Sequence, residues 1–271
     1  MACGAGPPAC LTDMKKIAFA LLLALVIWDV SAQQRTRALI HSHNDYERAE
    51  PFYNAFRHKV ASIEADIFAK EGRLLVAHTE EDIDMTKTLE KLYLDPLQEA
   101  IEKNGGHVYE DASRSLILLI DLKSKGDETM DGLVVHLAKY PTLVNCSSLK
   151  IVISGDVPDT SRWSQYPSHI FFDGRPQNQY NGNSLKRIFM ISDSFGRYVN
   201  TASNGDLTPD TSKIASVVTQ AQRNGKLFRF WATPDTPEMW AHLLLWRVDL
   251  ISTDNVDELS AFLESGASQS R

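Results

Sequence analysis

Ser62-Ile63-Glu64-Ala65-Asp66-Ile67 decides how this chain folds. The residues are apolar and of strand type apart from two acids, and alternate strand side chains face opposite ways. Glu64 and Asp66 therefore share one face while Ala65 takes the other. Upstream stands Ala38-Leu39-Ile40-His41-Ser42-His43-Asn44-Asp45-Tyr46, and downstream Leu74-Leu75-Val76-Ala77-His78. Each is a short apolar run that carries, or ends in, ionisable groups. Two carboxylates on one face of a buried strand repel each other and are poorly solvated. A hard cation with oxygen ligands, Mg²⁺ or Ca²⁺, removes both problems. Histidines on the flanking strands then become candidates for proton transfer beside that cation.

The pattern continues outward. Apolar strand-type runs fall at residues 38–41, 60–68, 74–77, 115–122, 149–154, 169–172, 187–192, 227–231 and 248–253. Helical patterns fall between them at 52–57, 89–104, 130–139, 211–224, 237–246 and 256–263. Regular strand–helix alternation predicts a parallel sheet. Over residues 33–271 it predicts a single TIM-type (β/α)₈ barrel domain, with irregularity allowed. Helix punctuation agrees: Asn224-Gly225 closes a helix opened by Pro209-Asp210, and Thr236-Pro237 opens another. The polar stretch 192–208 reads as a long loop on the C-terminal face, positioned to cover a site.

Residues 1–32 read as an N-terminal extension and signal peptide. Met14-Lys15-Lys16 precedes an uninterrupted apolar run over 17–28, and Val30-Ser31-Ala32 offers a cleavage point after Ala32. The run is short for a bilayer span, so a secreted or periplasmic protein with no stable membrane span is expected. Cleavage would remove Cys3 and Cys10, leaving Cys146 as a lone, inert thiol. A net charge of −7 argues against a nucleic-acid partner, which needs a basic face.

Asp121 ends the most apolar strand, Ser115-Leu116-Ile117-Leu118-Leu119-Ile120, and Lys123 follows two residues on. As a third oxygen ligand Asp121 completes a hard-metal site, with Lys123 on the same side to meet a phosphate. As a plain helix N-cap it would do none of this. His41 and His43 together also suit zinc, though the later strand ends offer no further histidines for it.

Ser42-His43-Asn44-Asp45-Tyr46, Ile63-Glu64-Ala65-Asp66 and His78 resemble the catalytic set of the phosphatidylinositol-phospholipase-C-like phosphodiesterase superfamily. The layout is nearest to its glycerophosphodiester phosphodiesterases. Phe228-Arg229-Phe230-Trp231-Ala232-Thr233 and Val248-Asp249-Leu250-Ile251-Ser252-Thr253-Asp254 resemble that family's closing strands. The resemblance implies His43 and His78 as the catalytic pair. It implies Glu64, Asp66, Asp121 and Asn44 as ligands of one Mg²⁺ or Ca²⁺ ion, with His41, Lys123 and Trp231 at the substrate. Two departures stand out. The Arg-Gly that follows the family's first histidine is absent, which leaves His41 and His43 both open as catalyst, and Asp121 replaces the commoner glutamate. The implied activity is metal-dependent cleavage of a small-molecule or lipid-derived phosphodiester. Alternatives are a phospholipase C or sphingomyelinase-like enzyme, with Trp163 and Tyr166 as a hint of exposed apolar loops, a zinc amidohydrolase-type barrel, and a non-catalytic binding barrel.

Overall fold

Parallel strands with apolar side chains on both faces need cover on both, and closure into a barrel wrapped by helices supplies it. The structure, a computed structural model, describes Met1, residues 39–201 and residues 207–269. The signal-peptide reading of residues 1–32 lies outside them, Met1 apart. The body runs as one unit from Leu39 onward. Its strands are β1 (Leu39–Ser42), β2 (Ser62–Lys70), β3 (Arg73–Val76), β4 (Leu116–Leu122), β5 (Leu149–Gly155) and β6 (Ile170–Gly174). They continue as β7 (Ile188–Ser194), β8 (Val199–Thr201), β9 (Leu207–Pro209), β10 (Leu227–Trp231) and β11 (Leu250–Thr253). Eight of them form a closed parallel ring in the order β1-β2-β4-β5-β6-β7-β10-β11. This is the expected TIM-type barrel. β3 folds back antiparallel on β2, and β8 and β9 form a separate hairpin.

The inner face divides in two. Ile117, Leu119, Val152, Met190 and Leu250 fill the lower interior, with Leu227 and Phe171 packed against them. Higher on the same strands the inward side chains turn polar. Asp66 pairs in register with Asp121, and Asp121 with Ser154, so these three share a layer. Outward side chains such as Ile63, Ala65, Ile67, Leu118 and Ile120 are buried beneath the helices. Helix Thr211–Arg223 contributes Ile214, Val217, Val218 and Ala221 to that outer layer, and its N-cap Asp210 accepts from Lys213 N at 3.0 Å.

The helix predicted at 89–104 is present, opening on a π turn, Glu90–Leu94, and continuing as α-helix Asp95–Lys103. Pro96 lacks the amide that would continue the ladder through this point. The described residues of the loop predicted at 192–208 form regular structure. β7 runs on to Ser194, and Phe195 and Tyr198 pack edge-on against Phe230 ahead of the β8–β9 hairpin. Trp163 and Tyr166 are buried rather than exposed. The Trp163 ring stacks on Phe172 at 4.1 Å and its indole N–H donates to Pro158 O at 2.9 Å. Cys146 is a free, buried thiol, as expected.

Candidate active site

Glu64 projects into the barrel between two basic groups. His41 Nε2 meets Glu64 Oε2 at 2.8 Å, and Ser62 Oγ meets His41 Nδ1 at 2.8 Å. Arg229 Nη1 stands 2.8 Å from the same Nε2 and 3.4 Å from Glu64 Oε2. All three side chains are buried. Burial, reinforced by the Arg229 charge, lowers the His41 pKa to about 4, so its ring is neutral at pH 7. Burial alone would raise Glu64, but the Arg229 guanidinium and the His41 hydrogen bond outweigh it and hold the carboxyl well below its usual range. His41 is thus a floor residue, engaged at both ring nitrogens, and not presented to a substrate.

One turn of strand higher, Asp66 Oδ2 meets Lys123 Nζ at 2.6 Å and accepts from Tyr46 Oη at 2.7 Å. Lys123 Nζ also reaches Asp121 Oδ2 at 3.1 Å, and Asp121 Oδ1 accepts from Ser154 Oγ at 2.6 Å. Asp121 is therefore a strand residue of the inner layer, not a helix cap. Burial and the charge of Glu64 push Asp66 up to about 6, against the opposing pull of Lys123. The Tyr46 hydroxyl lies 3.2 Å from His78 Nδ1, and His78 Nδ1 lies 3.4 Å from Asp66 Oδ2. His78, half exposed, is anchored through this one nitrogen.

His43 leaves β1 at the barrel mouth, and the turn behind it is held from below. Asn44 adopts a left-handed conformation, φ 44°, and opens the short helix Asp45–Glu47. Asp45 accepts from Ser42 Oγ at 2.9 Å, from Phe52 N at 2.5 Å and from Tyr93 Oη at 3.0 Å, which fixes the turn to the core. His43 Nδ1 meets Asp254 Oδ1 at 3.0 Å, and Arg48 Nη2 donates to that same oxygen at 2.8 Å. Trp231 ends β10 with 39% of its surface exposed.

Among the described residues no three acidic, histidine or cysteine side chains gather closely enough to hold a metal ion. The donor chemistry nevertheless fits a hard cation. Glu64, Asp66 and Asp121 offer carboxylate oxygens, and Asp66 Oδ1 is buried with no hydrogen-bond partner. In this arrangement Lys123 and Arg229 supply the positive charge beside these acids.

Several residues of the site were not singled out in the sequence. Arg229 and Asp254 lie in quoted stretches without a role, although an arginine inside an apolar strand is a signal. Asp173, Ser192 and Arg175 form a further inward cluster: Ser192 Oγ donates to Asp173 Oδ2 at 2.5 Å, and Arg175 Nη1 donates to it at 2.8 Å. The strand predicted at 169–172 stopped one residue short of Asp173.

A family model described as the AIM6-like phosphodiesterase domain matches residues 30–144. An Altered inheritance of mitochondria protein 6 homolog from Arthroderma benhamiae is 27% identical over 266 residues, covering 82% of this chain and 83% of that protein. The Kluyveromyces lactis protein named Altered inheritance of mitochondria protein 6 is 26% identical over 300 residues, covering 82% of this chain and 71% of its own. Among solved structures, a glycerophosphodiester phosphodiesterase from Parabacteroides distasonis superposes with a TM-score of 0.57 at 14% identity. The match covers 85% of this chain and 98% of that one, and it shows a shared fold. The phosphodiesterase-domain match over residues 30–144 and the shared barrel both support the resemblance read from the sequence, to the glycerophosphodiester phosphodiesterase and phospholipase-C-like phosphodiesterase superfamily.

Proposed function

We propose that this chain cleaves a glycerophosphodiester-type phosphodiester by two-histidine acid–base catalysis beside a divalent cation. The observation that carries the reading is the treatment of two histidines. His43 and His78, with side chains 37% and 49% exposed, each have Nδ1 against an aspartate oxygen, that of Asp254 and of Asp66. Among the described residues neither Nε2 has a protein partner, which leaves that nitrogen for a proton in transit. Buried His41 has no such freedom.

Glu64, Asp66, Asp121 and Asn44 would hold Mg²⁺ or Ca²⁺, which supplies Lewis-acid polarisation of a phosphate oxygen when bound. One histidine takes the proton at Nε2 from water or from a hydroxyl next to the phosphate. The other delivers a proton from Nε2 to the departing oxygen. Lys123, partly exposed between Asp66 and Asp121, meets the phosphate charge. Trp231 flanks the substrate from β10.

Burial of Trp163 and Tyr166 removes the apolar-loop argument for a lipid surface. Engagement of both His41 nitrogens takes His41 out of the His41–His43 pair on which a zinc reading rests. Export after cleavage at Ala32 belongs to this proposal and is checked by sequencing the N-terminus of the mature protein. Phosphorus NMR of the purified protein with a panel of diesters tests the reaction. Conversion to monoester, stopped by a chelator and restored by Mg²⁺ or Ca²⁺, is expected; intact diesters under every metal tried would refute it.

A further inference from the structure

The first and last strands of the barrel, β1 and β11, lie side by side, and His43 follows one while Asp254 follows the other. Their backbones are joined, because His43 N donates to Thr253 O at 3.0 Å. The Asp254 side chain is another matter. It is half-exposed, and a carboxylate in solvent turns freely unless something holds it. One imidazole contact in water is a weak hold.

Arg48 supplies a stronger one. It follows the short helix Asp45–Glu47, five residues beyond His43, and its amide donates to Asp45 O at 3.1 Å. Arg48 Nη2 donates to Asp254 Oδ1 at 2.8 Å, the oxygen that His43 Nδ1 meets at 3.0 Å. The arginine stem is largely packed, and its Nε is buried with no hydrogen-bond partner. A buried donor without a partner costs stability, so stability alone does not explain this seat. The arrangement sets a tautomer. A carboxylate oxygen only accepts, so a neutral imidazole facing it carries its proton on Nδ1 and keeps the lone pair on Nε2. Once the carboxylate swings away, either ring nitrogen can hold the proton and the ring is free to turn.

We propose that Arg48 is a positioning residue of the reaction: it locks the Asp254 carboxylate and, through the one oxygen they share, fixes the tautomer and aim of His43. The assignment rests on the phosphodiesterase reading above and names the group that keeps one of its two histidines in order.

Two measurements test it, and the first needs no turnover. The protein is labelled with ¹⁵N at histidine and studied at about pH 9, where a neutral imidazole is observed. The His43 signals are identified by their loss in His43→Ala. Wild type should show one tautomer, with the proton on Nδ1, and Arg48→Gln a mixture of both. A wild type already mixed, or an Arg48→Gln spectrum like that of wild type, overturns the assignment. The second measurement is a double-mutant cycle on one diester. Arg48→Gln should lower kcat by about five- to tenfold with KM little changed, and Arg48→Lys should recover part of it. In an Asp254→Ala background Arg48→Gln should cost nothing further. An equal loss in that background overturns the assignment, and so does a loss that falls on KM, because Arg48 would then be meeting the substrate itself. Should Arg48→Gln not fold, Arg48→Lys is read in both measurements for a smaller change of the same kind. A wild type that cleaves no diester refutes the reaction alone, since the tautomer is read without substrate and still decides the role of Arg48.

Discussion

Asp254 and His43, 211 residues apart in the chain, meet at 3.0 Å between carboxylate Oδ1 and imidazole Nδ1. The aspartate is itself fixed, because its backbone amide donates to Asp235 Oδ2 at 2.8 Å. An imidazole held at Nδ1 presents Nε2 in one orientation and one tautomer. Asp254→Ala should therefore lower kcat by about tenfold or more while KM changes little, a smaller loss than His43→Ala at about 10²- to 10⁴-fold. Steady-state kinetics on one diester checks this. An unchanged kcat would mean that the pair only pins the loop.

Tyr46 performs the matching task for His78. Its hydroxyl bridges Asp66 Oδ2 and His78 Nδ1, and burial together with the Asp66 charge keeps the phenol protonated far above its ordinary range. Tyr46→Phe removes that donor and leaves Asp66 to Lys123 and the longer contact with His78. The expected result is a drop in turnover of several-fold with a stability loss of about 1 kcal/mol, read by urea titration alongside kinetics.

Arg229 holds the floor. With its side chain 5% exposed beside Glu64 at 8%, truncation would leave a buried carboxylate with only neutral His41 for company. Arg229→Met is expected to destabilise the fold by about 3–5 kcal/mol, because removing one partner strands the other charge. Arg229→Lys should recover part of that. Equal stabilities for wild type and Arg229→Met would show that Glu64 is balanced elsewhere.

Cation binding should depend on pH through Asp66. Its carboxyl titrates near 6 in the folded protein against 3.8 ordinarily, raised by burial and by Glu64. Between those values the folded state holds the extra proton, so the contribution of this group to stability falls as pH rises through the window and stays low above it. A cation binds the ionised form and reverses that loss. Mg²⁺ or Ca²⁺ should therefore raise Tm by several degrees at about pH 7.5 and much less at about pH 5. Identical shifts at both pH values would contradict Asp66 as a ligand.

Much of this was legible in the sequence, and the reasons are local. The strand at 227–231 was readable because four large apolar residues, broken only by Arg229, stand between Gly225-Lys226 and a proline-bearing turn. Glu64-x-Asp66 was readable because alternation alone puts both acids on one face. What was hidden depends on contacts distant in sequence. Asp254 looks like one more acidic residue before a helix until the barrel closes and sets it against His43. Asp173, followed by glycine, reads as a turn, and only the register of β6 against β7 turns it inward. Trp163 sits in a polar stretch and looked exposed because its partner Phe172 lies on another element.

The central claim is that His43 and His78 move the protons of phosphodiester cleavage. The most direct measurement is the turnover of one diester by wild type, His43→Ala and His78→Ala, each shown to be folded by circular dichroism. Losses of about 100-fold or more in both variants are predicted. Near wild-type turnover in either, with the protein folded, would contradict the account.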